Sequence, residues 1–223
     1  MENPEHEIML TERARLAAAE LYSSELPYHN FDHAQNVVSE ALKIADDCDQ
    51  EGVPINREAL ELAAIFHDAG YHRDYKQEGF KSKEELSAAL AKNTLQDLGA
   101  SQELIKQVQE TILATRWDSG FATNEQKAIR AADLAGIAKN FESFVDNNRR
   151  IRKEYEILNG VKVPWDVWKR ETGKIISFYL SQNIRLTSRH DDEQGRSIFH
   201  ENTKKILEQF LELSEGELEG KNT

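Results

Sequence analysis

The sequence predicts an all-α protein, and three observations carry that expectation. Apolar residues recur at i, i+3 and i+4 through most of the chain, the spacing of helices with one buried face. Only four prolines and eleven glycines punctuate the 223 residues, while the strong helix formers Ala, Leu, Glu, Lys and Gln are common. No segment shows the sustained alternation of apolar and polar residues that marks a half-buried strand.

The first helix is expected in "LTERARLAAAELYSSEL", ended before Pro27, because proline disfavours helical backbone in the residue preceding it. In the second, Ala34, Val37, Val38, Ala41, Leu42 and Ala45 follow a helix core face, with Asn30 or Asp32 as the N-cap. It runs to about Asp49 and gives way to the turn "QEGVPIN". "REALELAAIFHDAG" is a short, strongly apolar helix, expected to stop at a left-handed Gly70. The polar stretch "YHRDYKQEGFKSK" reads as a loop. Helices follow at about 82–98 and 101–116, split by "LGAS", and another begins near Asn124. "NFESFVDNNRRIRKEYEIL" and "VPWDVWKRETGKIISFYLSQ" form two more, joined at "NGVKV". The loop "TSRHDDEQGRS" precedes a last helix, "IFHENTKKILEQFLELS", and the polar tail "EGELEGKNT" is expected to fray.

Hydrophobic residues make up 39% of the chain, enough to fill a core and to argue against global disorder. Lys and Arg total 28 against 40 Asp and Glu, a net charge of −12. Such a surface repels nucleic-acid backbones, so no nucleic-acid polymer is expected as partner, although a local basic pocket remains compatible with one small phosphate compound. Cys48 is the only cysteine, which leaves no intrachain disulfide and no thiolate cluster. "MENPEHEIML" lacks the cationic start and apolar run of a secretory signal. No stretch approaches the roughly 18 apolar residues of a membrane span. These features lead to the expectation of a soluble protein of a reducing cytoplasm, without a membrane partner.

Three places put potential metal ligands inside or beside apolar helix faces. They are His33, with His29 one turn before it; the pair His67-Asp68 in "AAIFHDAGY"; and Asp133 in "AIRAADLAGI". Asp133 lies amid Ala131, Ala132, Leu134 and Ala135, where an unpaired buried charge is costly. A cation is the natural remedy, and pairing with Arg130 or Lys127 is the other. His67-Asp68 falls in the last turn of its helix, where unsatisfied carbonyls favour a bound cation. Imidazole nitrogens and carboxylate oxygens without sulfur suit Zn²⁺, Mn²⁺, Fe²⁺ or Ni²⁺, and nearby carboxylates suit a second, harder ion such as Mg²⁺. One or two divalent metal ions are therefore expected, with open positions for a water whose lowered pKa makes it a nucleophile.

The order H…HD…D resembles the HD superfamily of metal-dependent phosphohydrolases, whose fold is a helical bundle. Carried over position by position, the resemblance implies His33, His67, Asp68 and Asp133 as ligands, with Asp68 able to bridge two metals. "YHNFDHA" is similar to the YHNxxHA motif of the cyclic-nucleotide phosphodiesterases, whose first histidine protonates the leaving oxygen; that implies this role for His29. "FHDAGY", followed by "KEELSAALA", resembles bacterial HD proteins with an acidic residue and a Ser-Ala in the next helix, which points to Glu84 with Ser87 beside it. The resemblance spans roughly residues 25–140. It implies a single HD-type helical domain over residues 1–223, with a metal-site core at about 25–140, a C-terminal helical extension at about 141–214 and the polar tail 215–223.

The chain also departs from those relatives. The phosphodiesterases carry HDxxH, whereas His72 is the fifth residue after His67 and is not counted as a ligand. Their long glutamine-bearing substrate region is missing, so cyclic nucleotides are one candidate among several. No HDxxED pair and no HD-GYP motif are present.

The reaction expected on this basis is hydrolysis of a phosphoester or phosphoanhydride in a small molecule, a nucleotide foremost. Asp68 or the metal-bound water serves as base and His29 as acid. Arg130, one turn before Asp133, and Arg116 in "LATRWD" are the nearest cations for substrate phosphates. "RRIRK" reads either as pocket lining or as a solvated face paired with Glu154 and Glu156. The expected partner is a small phosphorylated substrate, and the sequence allows a homo-oligomer. Two other readings remain: a regulatory module that holds metal or nucleotide without turnover, and a di-iron oxygenase, which needs extra histidine ligands that only His72 offers.

Overall fold

The structure, a computed structural model, describes residues 4–189 and 191–220. Its helices are α1 (Pro4–Ala19), α2 (Phe31–Glu51), α3 (Arg57–Phe66), α4 (Lys83–Asp97), α5 (Gln102–Leu113), α6 (Asn124–Leu134), α7 (Phe141–Asn159), α8 (Trp165–Ser181), α9 (Ile198–Glu212) and α10 (Glu215–Leu218). A short 3₁₀ turn, Ala135–Ile137, follows α6. Among the described residues there is no strand, only an isolated bridge between Asp191 and Ser197, so the protein is all-α.

The chain divides into two compact units. The first runs to Asp133 and includes Ile184–Thr187; the second comprises Leu134–Asn183 and the described residues from Ser188 onward. In the first, α3 is the central element, packed by α1, α2, α4 and α5. Its sequence explains that place. Ala59, Leu60, Leu62, Ala63, Ala64, Ile65 and Phe66 are all buried, and each large apolar side chain so buried contributes about 1.5–3 kcal/mol. Its polar residues Arg57, Glu58 and Glu61 stay part-exposed, and the apolar remainder can only lie inside.

Three boundaries differ from those the sequence suggests. First, α1 ends at Ala19 rather than before Pro27. The chain turns there, with the Leu21 N–H donating to the Ala18 carbonyl at 2.9 Å, and this frees Tyr22 to reach across to α3.

Second, α3 stops at Phe66, and Gly70 is not a left-handed cap, since it has no positive φ. Glycine is needed there for space: a Cβ on Gly70 would lie 2.7 Å from Leu86 Cγ of α4.

Third, the start of the polar tail does not fray. Ser214 and Glu217 close a capping box around α10, and Leu218 is fully buried with Phe144, Trp165, Ile206 and Phe210 in the second unit's core.

The basic run of α7 is also committed within that unit. Arg149 donates to the carbonyls of Leu218 at 2.6 Å and Glu217 at 2.7 Å. Arg152 donates to the Val163 carbonyl at 2.7 Å and lies 4.3 Å from the Trp165 ring.

Candidate metal centre

Local chemistry fixes each wall of the site. Asn30 is the N-cap of α2: its side chain accepts from the His33 N–H at 3.2 Å and donates to the Leu26 carbonyl at 3.0 Å. The cap therefore sets the turn that carries His33, whose side chain is buried inward. Beyond α3 the chain continues in tight turns, the Ala69 N–H donating to Phe66 and the Tyr71 N–H to Asp68. Two neighbours hold these turns. The Ser87 hydroxyl accepts from the Gly70 N–H at 3.0 Å, and the Tyr22 hydroxyl donates to the Ile65 carbonyl at 2.8 Å. Asp133 comes from the last turn of α6.

These walls bring four side chains together. Nε2 of His67 lies 3.0 Å from Asp68 Oδ2 and 3.7 Å from Asp133 Oδ1. Nε2 of His33 lies 3.5 Å from Asp68 Oδ2 and 3.2 Å from Asp133 Oδ1. Both nitrogens are buried, and neither has a hydrogen bond of good geometry among the described residues. The ligand atoms of His33, His67 and Asp68 all lie within 4.8 Å of one another, and Asp133 approaches from the side of the two imidazoles.

This arrangement fits a divalent metal ion. Ligands about 2.1 Å from one ion and separated by 90–110° are about 3.0–3.4 Å apart, close to the spacings here. The tautomer of His67 agrees. Its Nδ1 lies 2.9 Å from the Ala64 carbonyl, which can only accept, so Nδ1 carries hydrogen and Nε2 is the nitrogen turned to the cluster, able to give up a proton to a metal.

The charges of the four groups act strongly on one another. Burial works against ionisation of Asp68, yet His67 and His29 beside it lower its carboxyl to about 2. Burial opposes ionisation of Asp133 as well, and the imidazoles of His33 and His67 hold it well below the usual carboxylate range. Burial would lower the His67 value, but the charges of Asp68 and Asp133 raise it well above 6.5. Burial foremost, with Asp68 and Asp133 adding to it, pushes the Tyr22 hydroxyl up as well. Asp133 keeps 26% of its side-chain surface exposed, so the cluster is open to solvent on that side.

The other residues singled out in the sequence fall in different places. His29 stacks on Tyr71, ring centroids 3.7 Å apart at 14°, and meets the His33 ring edge-on at 5.5 Å. Glu84 is half-buried in the first turn of α4. Arg130 is 1% exposed and donates to the carbonyls of Ala114 and Arg116. Arg116 pairs with Asp118 at 2.5 Å. His72 is exposed and lies outside the His33–His67–Asp68 group.

Sequence reading missed Tyr22, Tyr71 and Lys83. The ammonium of Lys83 sits 3.3 Å from the centroid of the Tyr71 ring. Tyr22 follows the apolar spacing of the first helix, Tyr71 opens a stretch that reads as a polar loop, and Lys83 stands in "KSKEEL" like any solvated helix start, so no pattern separates them from their neighbours.

An all-α bundle carrying an H…HD…D cluster able to hold a divalent metal defines the class of protein. The family model of the HD domain matches residues 30–138, and the chain carries a domain of the HD superfamily there. That superfamily is one of metal-dependent phosphohydrolases, with some non-catalytic members. No curated protein matches the chain. Among the described residues no helix is long and apolar enough to cross a membrane.

Proposed function

We propose that the protein hydrolyses a phosphoester or phosphoanhydride bond in a small molecule, a nucleotide foremost, at the His33–His67–Asp68–Asp133 cluster. The observation that carries this reading is the convergence of two buried imidazole nitrogens, lacking hydrogen bonds of good geometry among the described residues, on two carboxylates. The domain of the HD superfamily supports the reaction class. A bound divalent metal supplies an activated water and neutralises charge on the phosphoryl oxygens.

The chain's own residues do the rest. His33 and His67 offer Nε2 as ligands, and His67 is oriented by its Nδ1–H bond to Ala64. Asp68 and Asp133 supply the negative charge that retains a cation, and Asp68 accepts the proton of the attacking water. His29, stacked at the rim beside His33, donates a proton to the leaving oxygen.

The test pairs metal content with hydrolysis of a phosphate-substrate panel under Mn²⁺, Mg²⁺, Ni²⁺ and Zn²⁺. Turnover is expected in the wild type and absent in Asp68→Ala. A wild type that loads metal yet hydrolyses no member of the panel would overturn the hydrolase reading and leave a regulatory module. Unchanged metal content in both His67→Ala and Asp133→Ala would overturn the site itself.

A further inference from the structure

We propose that Tyr71 is a positioning residue of the reaction: its ring seats the His29 imidazole beside the metal centre, in register with the turn that carries His67 and Asp68. This rests on the hydrolase reading above, in which His29 gives its proton to the leaving oxygen.

His29 needs such a seat. It stands directly before the Asn30 cap, in a bend where no helix orients its side chain. A proton donor works only within hydrogen-bond reach of the departing oxygen, and a displacement of about 1 Å costs on the order of a hundredfold in rate. Three rings contact the imidazole. Tyr28 and His33 meet it edge-on, at 4.8 Å and 5.5 Å between centroids, and both belong to the same stretch of chain. Tyr71 comes from beyond α3 and lies face to face with it, 3.7 Å away at 14°. His29 is thereby kept against His33, close enough to Asp68 to join His67 in lowering that carboxyl against the effect of burial.

Tyr71 is itself fixed from two directions. Its N–H donates to the Asp68 carbonyl at 2.9 Å, so the ring belongs to the same hydrogen-bonded turn as the HD pair. The Lys83 ammonium lies over the ring, 3.3 Å from its centroid. A cation and an imidazole this close to one ring centre occupy opposite faces, so Tyr71 is sandwiched between Lys83 and His29. Lys83, Leu86 and Ser87 share one face of α4, at i, i+3 and i+4. Leu86 fills the space beside Gly70, and Ser87 accepts from the Gly70 N–H at 3.0 Å. The contacts that lock α4 onto the HD turn thus also back the ring that seats His29.

The result is a set geometry between base and acid. As the attacking water bonds to phosphorus and gives its proton to Asp68, the bond from phosphorus to the leaving oxygen breaks. That oxygen takes the proton of the His29 imidazolium. One turn bears Asp68 and, through Tyr71, the seat of His29.

The test compares wild type, Tyr71→Leu, Tyr71→Phe and His29→Gln as full-length proteins on two substrates under Mn²⁺. A nucleoside 5′-monophosphate releases an alkoxide that must be protonated, whereas p-nitrophenyl phosphate releases a phenolate that is stable without a proton. Tyr71→Leu is expected to lower kcat on the nucleotide by about tenfold to a hundredfold, with little change in KM or metal stoichiometry and a much smaller loss on the aryl phosphate. Tyr71→Phe keeps the ring and recovers most of the nucleotide kcat. In a His29→Gln background, Tyr71→Leu adds no further loss. The seat is also read without turnover, by NMR of the Zn²⁺-loaded protein. The His29 ring protons, facing the tyrosine ring, are shifted upfield in wild type and Tyr71→Phe and lose that shift in Tyr71→Leu.

Equal losses on both substrates, a further loss on top of His29→Gln, or a wild type without the upfield shift overturns the proposal. So does a wild type that cleaves the aryl phosphate and not the nucleotide, since no proton is then delivered. An upfield shift that depends on Tyr71 in a protein that hydrolyses no phosphate substrate upholds the seat while the hydrolase reading falls. Hydrolysis of the nucleotide that is indifferent to Tyr71→Leu does the reverse.

Discussion

Tyr22 reaches across from the turn after α1 and donates its hydroxyl hydrogen to the carbonyl of Ile65 at 2.8 Å. That carbonyl lies two residues before His67, in the last turn of α3, where helix carbonyls lack intrahelical partners. One side chain thus holds the end of α3 just ahead of the HD pair. Tyr22→Phe keeps the ring against Phe31 and removes only this bond. Its expected cost is about 1–2 kcal/mol in denaturant unfolding of the metal-free protein. Metal affinity should fall as well, because the ligand pair is less preorganised. An unfolding curve and metal affinity identical to wild type would show that the clamp is incidental.

Metal binding is expected to release protons. In the metal-free cluster the carboxylates raise His67 well above 6.5, so at neutral pH its Nε2 holds a proton that a metal must displace. Affinity should therefore climb about tenfold per pH unit while one proton is exchanged. The stability of the metal-free protein runs the other way at that end of the scale. The contribution of His67 is full below its unfolded value near 6.5 and is lost as pH rises through the raised folded one. That of Asp68 is present above 3.8 and lost as pH falls toward about 2. Calorimetric titrations in buffers of different ionisation enthalpy measure the proton count directly. A binding enthalpy independent of buffer at pH 7 would contradict the protonated His67.

Arg130 shows where spacing misleads. One turn before Asp133, it reads as a phosphate ligand, but its guanidinium is turned into the core and caps the carbonyls at the end of α5. Arg130→Met should cost about 2–4 kcal/mol by leaving buried carbonyls unsatisfied, with KM for any phosphate substrate unchanged in the fraction that remains folded. A raised KM at wild-type stability would restore the substrate role.

What was legible in the sequence was what local pattern records. The amphipathic face of α2 and the all-apolar run of α3 each specify a helix and its burial, and His33, His67, Asp68 and Asp133 stood out as polar groups on faces that packing should have kept apolar. The cap on α2 resolves between Asn30 and Asp32 in favour of Asn30, a choice of geometry that composition cannot make. What stayed hidden depends on partners distant in the chain. Tyr22 meets Ile65, Lys83 meets Tyr71, and Arg149 meets the carbonyls of α10. In each case the residue alone looks like ordinary core or ordinary solvated surface. The sequence also presents Gly70 as a helix cap, since its other use, room for a side chain from α4, leaves no mark within "FHDAGY".

That last use gives a prediction with a built-in control. Gly70 has no positive φ, so the backbone there tolerates any L-residue, and the obstacle is contact alone. A methyl group at Gly70 meets Leu86 Cγ at 2.7 Å and Cδ2 at 2.9 Å, inside a packed interior that cannot yield freely. Gly70→Ala should destabilise by about 1–3 kcal/mol, the usual cost of overpacking. It should also weaken metal binding, because relief of the clash moves the turn that bears His67 and Asp68. If the clash is the cause, shortening the opposing side chain must relieve it. Leu86→Ala alone leaves a cavity and costs about 2–5 kcal/mol. Combined with Gly70→Ala, the added methyl fills part of that space, so the double variant should be less destabilised than the sum of the singles by about 1 kcal/mol or more. Strict additivity in denaturant unfolding would locate the cost of Gly70→Ala in the backbone instead, and with it would fall the idea that α4 and the HD turn are fitted to each other through this contact.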